Sequence, residues 1–122
     1  MVPEIKVTEE GGTIRVVYRG KVEYSATTGM LRNVAQVASE KRIKKLLFDI
    51  READYRHYYA ETLRHAEEGP ALGIDQSFRI AFLGAAGNPM LGYIEDACVN
   101  RGYNVKVFTD EPEADAWLRG TP

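Results

Sequence analysis

The sequence predicts an α/β fold, a mixed sheet of about five strands with four helices in the order ββαβαβαβα. Two features point there. Ile5 to Glu9 and Thr13 to Arg19 are β-rich runs meeting at Gly11-Gly12, a hairpin signal because glycine accepts positive φ freely. Beyond them, segments with apolar residues at helical spacing alternate with short, nearly continuous apolar runs of strand length. A hairpin followed by such alternation gives an antiparallel pair, then parallel strands joined by right-handed crossovers. With 122 residues, no internal repeat and no long linker, the chain reads as one domain over residues 1–122.

In the second run Ile14, Val16 and Tyr18 face one way and Arg15, Val17 and Arg19 the other, as in a strand half open to solvent. Thr27 or Thr28 is placed to cap the first helix, whose inner side carries Leu31, Val34, Val37 or Ala38, and then Ile43. Lys45 to Ile50 is apolar almost throughout, the pattern of a strand covered on both faces. A second helix is expected over Tyr58 to Glu68 with Tyr59, Leu63 and Ala66 inward, broken or kinked at Gly69-Pro70 and ended at Gly73. Phe78 to Leu83 is the next buried strand. Asn88 caps a third helix with Pro89 at its first position, and Leu91, Ile94, Ala97 or Cys98 and Arg101 trace its inner stripe up to Gly102. Asn104 to Phe108 forms the last strand. Asp110-Glu111-Pro112-Glu113 is a capping box that opens a short helix with Ala114, Trp117 and Leu118 inward, stopped by Gly120.

Apolar residues at 44% and charged residues at 28% give an ordinary globular balance. A net charge of −2 supplies no global field toward polyanions, so neither nucleic-acid binding nor membrane insertion is expected. Lys41-Arg42 with Lys44-Lys45, the densest basic group, suits a helix C-terminus and its exit turn. The one cysteine, Cys98, excludes an internal disulfide and fits a reducing compartment. No run reaches the length of a membrane span, and the first residues lack the apolar core of a signal peptide. The chain is therefore expected to be cytoplasmic and complete.

Function in open α/β sheets gathers at the carboxyl ends of strands. Here that directs attention to residues 49–59, expected as a loop leaving the buried strand. Asp49, inside an apolar run, must be hydrogen-bonded as an anion or have its pKa raised. Three roles stand open for it: a structural acceptor for nearby backbone amides, a ligand or partner contact, and a catalytic acid. Arg51, Glu52, Asp54 and Arg56 balance in charge and read most simply as a solvated loop with weak ion pairs. Tyr55, His57, Tyr58 and Tyr59 supply the aromatic groups that anchor protein contacts, although two of the tyrosines can equally pack on the sheet.

Gly84-Ala85-Ala86-Gly87-Asn88 lies between a strand and a helix N-terminus, which makes Gly84, Gly87 and Asn88 a candidate anion site. The segment lacks the lysine and Ser/Thr of a P-loop, and a tight, backbone-satisfied turn competes with that reading. His57 and His65 lie eight residues apart without a third ligand at useful spacing, so no metal or other cofactor is expected. Cys98 sits at a helical core position with no basic neighbour to lower its pKa and reads as packing. Ser25, Ser39 and Ser77 have no histidine close in sequence, and no catalytic set assembles; an enzyme is not expected.

The element order, together with Leu46-Leu47-Phe48-Asp49, Arg79-Ile80-Ala81-Phe82-Leu83 and above all Asn100-Arg101-Gly102-Tyr103-Asn104-Val105-Lys106-Val107-Phe108-Thr109-Asp110-Glu111-Pro112-Glu113-Ala114-Asp115-Ala116-Trp117-Leu118, resembles the STAS domain. Within it, the chain is similar to the SpoIIAA-like group of small bacterial proteins. In the regulatory members of that family the strand matching residues 46–50 is followed by a serine or threonine, phosphorylated by a partner kinase, that opens the next helix. Here no serine or threonine stands between Ser39 and Thr62, so the resemblance implies the fold without that switch. Asp54 offers a fixed negative charge near the helix start instead.

These readings converge on a non-catalytic binding module that docks a protein partner, or another copy of itself, through Asp49, Arg51, Asp54, Tyr55, Arg56, His57, Tyr58 and Tyr59. The alternative is a small-ligand carrier for a lipid-like or nucleotide molecule, since the resemblance extends to domains that hold such ligands.

Overall fold

The computed structural model describes residues 3–56 and 58–120. In chain order its elements are β1 (Glu4–Glu10), β2 (Thr13–Lys21), α1 (Tyr24–Lys41), β3 (Lys45–Asp54), α2 (Tyr59–Leu72), β4 (Arg79–Leu83), α3 (Met90–Val99), β5 (Asn104–Phe108) and α4 (Glu111–Leu118). Five strands form a sheet in the order β1-β2-β3-β4-β5. The first pair is antiparallel and the rest are parallel, so the mixed sheet expected from the sequence is present. Gly11 and Gly12 close the hairpin with φ of 58° and 83°, the paired positive values a two-residue turn needs.

From β2 to β5 the strand order advances without reversing. Right-handed crossovers therefore place α1, α2 and α3 on one face of the sheet, and α4 returns to the other. The larger core lies under the three helices and includes Ile14, Val16, Leu46, Phe48, Ile80 and Ile94. A smaller core beneath α4 joins Leu47, Ala81, Leu83, Phe108, Ala114 and Leu118. Ligand crevices in open sheets form where strand order reverses. This parallel run has no such point.

Several local expectations need correction. β3 does not end at Ile50 but continues to Asp54, because the nine-residue β2 offers it a partner: Arg19, Gly20 and Lys21 pair with Glu52, Ala53 and Asp54. Much of the expected 49–59 loop is thus strand. Thr27 and Thr28 lie inside α1, not at its cap; the helix begins after Glu23, whose N–H donates to the Tyr18 hydroxyl at 3.2 Å. The Thr27 hydroxyl is also 3.2 Å from that phenol.

The inner face of α2 is turned from the expected one: Thr62, His65, Ala66 and Gly69 are buried, whereas Tyr59 is exposed and Leu63 half-buried. The same helix runs through Gly69-Pro70 to Leu72. Proline removes the N–H that would bond the Ala66 carbonyl, and the Tyr103 hydroxyl replaces it, donating to that carbonyl at 2.8 Å. Gly69 makes room for this contact, since a Cβ there would overlap the Tyr103 hydroxyl.

The starts of α3 and α4 follow the sequence, whereas α3 ends at Val99, leaving its expected inner residue Arg101 and expected cap Gly102 in the turn beyond. Asn88 Oδ1 accepts from the Met90 N–H at 3.0 Å, and Asp110 Oδ2 accepts from Glu113 N–H at 3.0 Å. Trp117 is half-buried rather than fully inward, with the Arg79 guanidinium 3.9 Å from its ring centroid.

Candidate functional site

The register between β2 and β3 slips inside the expected site: Val17 pairs with Asp49, but Arg19 pairs with Glu52. This β-bulge sets Ile50 and Arg51 against a single residue of β2 and re-aims the side chains around it. Ile50 enters the large core. Asp49, 6% exposed, faces α4 and is gripped from both sides. Arg51 donates to it through Nε at 2.9 Å and Nη2 at 2.7 Å, and Arg15 Nη2 donates at 3.0 Å. The Arg51 N–H adds a bond at 3.2 Å. Both guanidiniums also reach Glu111 at the start of α4, Arg15 at 2.9 Å and Arg51 at 3.2 Å.

Burial alone would raise the Asp49 carboxyl, but the Arg51 bonds and the two positive charges overcome it and hold the group below its ordinary pKa. An anion with every neighbour already paired is a clamp tying β2 and β3 to α4. Of the three roles open to Asp49, the geometry supports the structural acceptor. Asp49 is therefore spent inside the fold, while Arg51, though bonded to it, stays 44% exposed.

Farther along, Asp54 and Arg56 pair with each other, Arg56 Nη2 lying 2.7 Å from Asp54 Oδ2, and this bonding lowers the Asp54 carboxyl to about 2. The three tyrosines separate. Tyr55 and Tyr58 turn inward and meet edge to face at 5.9 Å. The Tyr58 hydroxyl lies 3.2 Å from His65 Nδ1, while His65 Nε2 lies 3.0 Å from the Thr28 hydroxyl. Tyr24 stacks on the imidazole at 4.3 Å, and its own hydroxyl donates to Glu68. Burial depresses the His65 pKa, and both ring nitrogens face hydroxyl partners, so the ring is a neutral hub of the layer.

Tyr59 turns outward and is 45% exposed. Tyr93 on α3 holds it, packing edge to face at 4.8 Å and donating its hydroxyl to the Tyr59 carbonyl at 3.0 Å. His57 lies outside the described residues.

The Gly84–Asn88 segment follows the carboxyl end of β4. The Gly84 N–H donates to Phe108 O at 2.9 Å and the Asn88 N–H to Ala85 O at 3.2 Å. Two of the amides proposed for an anion are thus committed internally, as in a helix-capping turn. Ala85, Ala86, Gly87 and Pro89 remain exposed. Among the described residues, no three His, Cys, Asp or Glu side chains gather closely enough to hold a metal ion.

A cavity of about 100 Å³ lies between the three-helix layer and the sheet. Its walls are aliphatic and aromatic, with Leu31, Phe48, Tyr55, Phe82 and Tyr103 among them, and the Cys98 thiol joins them. Burial pushes that thiol up to about 11, so it is protonated and unreactive at neutral pH. Protein interiors rarely leave such space.

Of the residues expected to form one recognition loop, the structure keeps Asp54, Arg56 and Tyr59 at the surface and takes Asp49, Tyr55 and Tyr58 inside. Sequence reasoning missed Arg15 and Glu111, the other half of the Asp49 clamp, and Tyr93, which supports Tyr59. Only the alternation of β2, which put Arg15 on the face opposite Ile14, carried any signal of this.

No protein-family model and no curated protein matches the sequence. Among solved structures, the chain is similar to an uncharacterised protein from Shewanella loihica with a SpoIIAA-like fold, with 21% identity, a TM-score of 0.60, and 95% of this chain and 93% of that one covered. An anti-sigma factor antagonist from Mycobacterium paratuberculosis matches with 10% identity, a TM-score of 0.62 and coverage of 97% and 95%. The anti-sigma factor antagonist SpoIIAA in its unphosphorylated form matches with 14% identity, a TM-score of 0.57 and coverage of 98% and 99%. At these identities the likeness is one of fold: the chain carries the SpoIIAA-like, STAS-type architecture. Among the described residues no helix is long and apolar enough to cross a membrane.

Proposed function

We propose that this SpoIIAA-like domain is a non-catalytic binding module that docks a protein partner, or a second copy of itself, at the carboxyl edge of its sheet. The observation that carries the reading is Tyr59, an exposed aromatic fixed by Tyr93, three residues after the exposed Arg56. Tyrosine and arginine are favoured anchors, and a side chain already held in place loses little entropy on binding. Two of the similar structures are anti-sigma factor antagonists, proteins whose description names a protein target.

The chemistry at that edge supports holding rather than transforming. Asp49, Asp54 and His65 are each committed to internal partners. Docking would also run without a phosphorylation switch at the start of α2. Thr62, the first serine or threonine after β3, is 9% exposed and gives its hydroxyl to the Tyr58 carbonyl at 2.8 Å. The carrier alternative is supported by the cavity, but about 100 Å³ is well under the roughly 300–1,000 Å³ of ordinary ligand sites. It suits neither a lipid tail nor a nucleotide.

Sedimentation velocity and partner pull-down with wild-type protein and a Tyr59→Ser/Tyr93→Ser variant test the docking surface. The expected result is at least a tenfold loss of association with an unchanged circular dichroism spectrum. Undiminished association in the folded variant would move the interface elsewhere.

A further inference from the structure

The cavity under the three helices has features that a packing flaw does not require. Among the described residues no lysine, arginine, aspartate or glutamate lines it, and the imidazole of His65 is held neutral by burial. A charged ligand would leave water with nothing to replace its hydration. The walls are rich in rings, with Phe48 and Phe82 stacked at 5.0 Å on the sheet side. The polar groups of this layer are largely spoken for: Tyr58 by His65, Tyr103 by the Ala66 carbonyl, Tyr18 by Thr27 and Glu23. Tyr55 differs. It lines the cavity, yet among the described residues no group pairs with its hydroxyl.

Size narrows the occupant further. An apolar cavity of about 150 Å³ accommodates benzene, and this one is about 100 Å³. A single ring fits with slight movement of the half-exposed Leu31 and Cys98 at its border. We infer that the cavity is a binding site for a small, neutral, single-ring molecule bearing one hydrogen-bonding group, with its ring against Phe48 and Phe82 and its polar atom on the Tyr55 hydroxyl. This site is separate from the docking surface, since Tyr59 and Tyr93 do not line it, and either can fail without the other.

Nuclear magnetic resonance titration with phenol, benzene and decanoate tests it. Phenol and benzene should give saturable shifts at Leu31, Phe48, Tyr55, Phe82 and Cys98, with phenol bound roughly three- to tenfold more tightly by its hydrogen bond. Decanoate, charged and too long, should give none. Tyr55→Phe should erase the preference for phenol while sparing benzene, and the cavity-filling Cys98→Leu should abolish both. If Cys98→Leu does not fold, competition in the wild-type protein decides: mutual displacement supports one shared cavity, and independent binding overturns it. The inference also falls if neither ring compound gives saturable shifts at these residues, if a folded Cys98→Leu binds them undiminished, or if decanoate binds there instead.

Discussion

Replacing Tyr103 with phenylalanine removes one oxygen and tests how α2 tolerates a proline. The phenol is buried and its hydroxyl is the donor that satisfies the Ala66 carbonyl, 2.8 Å away. Phenylalanine keeps nearly all the ring packing, so the cavity contribution is small and the loss is that of a buried acceptor left unpaired, about 1–3 kcal/mol. The carbonyl needs this donor because Pro70 supplies no N–H. In a Pro70→Ala background the helix can make its own bond from residue 70 to residue 66, and Tyr103→Phe should then cost under about 1 kcal/mol. Urea denaturation of the four proteins gives the double-mutant cycle, with an expected coupling of about 1–2 kcal/mol. Additive costs, with coupling under about 0.5 kcal/mol, would mean that the tyrosine stabilises the fold in some other way.

The two adjacent tyrosines at the start of α2 should behave oppositely. Tyr58→Ser should cost about 3 kcal/mol as a buried aromatic truncation, and Tyr59→Ser about 1 kcal/mol, the worth of an exposed edge-to-face pair; equal losses in urea titrations would contradict the inward and outward assignment. Asp49→Asn should lose about 2 kcal/mol at neutral pH by weakening charged hydrogen bonds. Because the folded carboxyl lies below its ordinary pKa, its stabilisation is complete above the unfolded value of about 3.9 and disappears as pH falls through the folded value. The gap between wild-type and variant measured by thermal denaturation should therefore close only below about pH 4; a gap that widened on acidification would reverse the sign of the clamp.

The hairpin, the buried strands and three of the four helix starts were legible because alternation, helical spacing and capping side chains are local. The missed features depend on partners far along the chain. Residues 51–54 look like loop because three of the four are charged, yet β2 is long enough to pair with Glu52, Ala53 and Asp54. The inner face of α2 depends on which of Tyr58 and Tyr59 turns in, and the answer lies in Thr62 and His65, polar residues whose bonds to Tyr58 and Thr28 let them be buried. Pro70 reads as a helix breaker until Tyr103 supplies the missing donor. The Asp49 clamp joins Arg15 to Glu111 across 96 positions, and no periodicity marks such a pair. A cavity is missing volume, which a residue pattern does not record.

The claim that the carboxyl edge is the docking surface is tested most directly by site-specific photo-crosslinking from single positions. A photoreactive phenylalanine analogue at Tyr59 is compared with one at Lys6, on the strand-pair face that α4 leaves uncovered. Crosslinked partner or dimer from position 59 and not from position 6, with both proteins folded, is the predicted result. Crosslinks from position 6 alone, or equally from both, would contradict it.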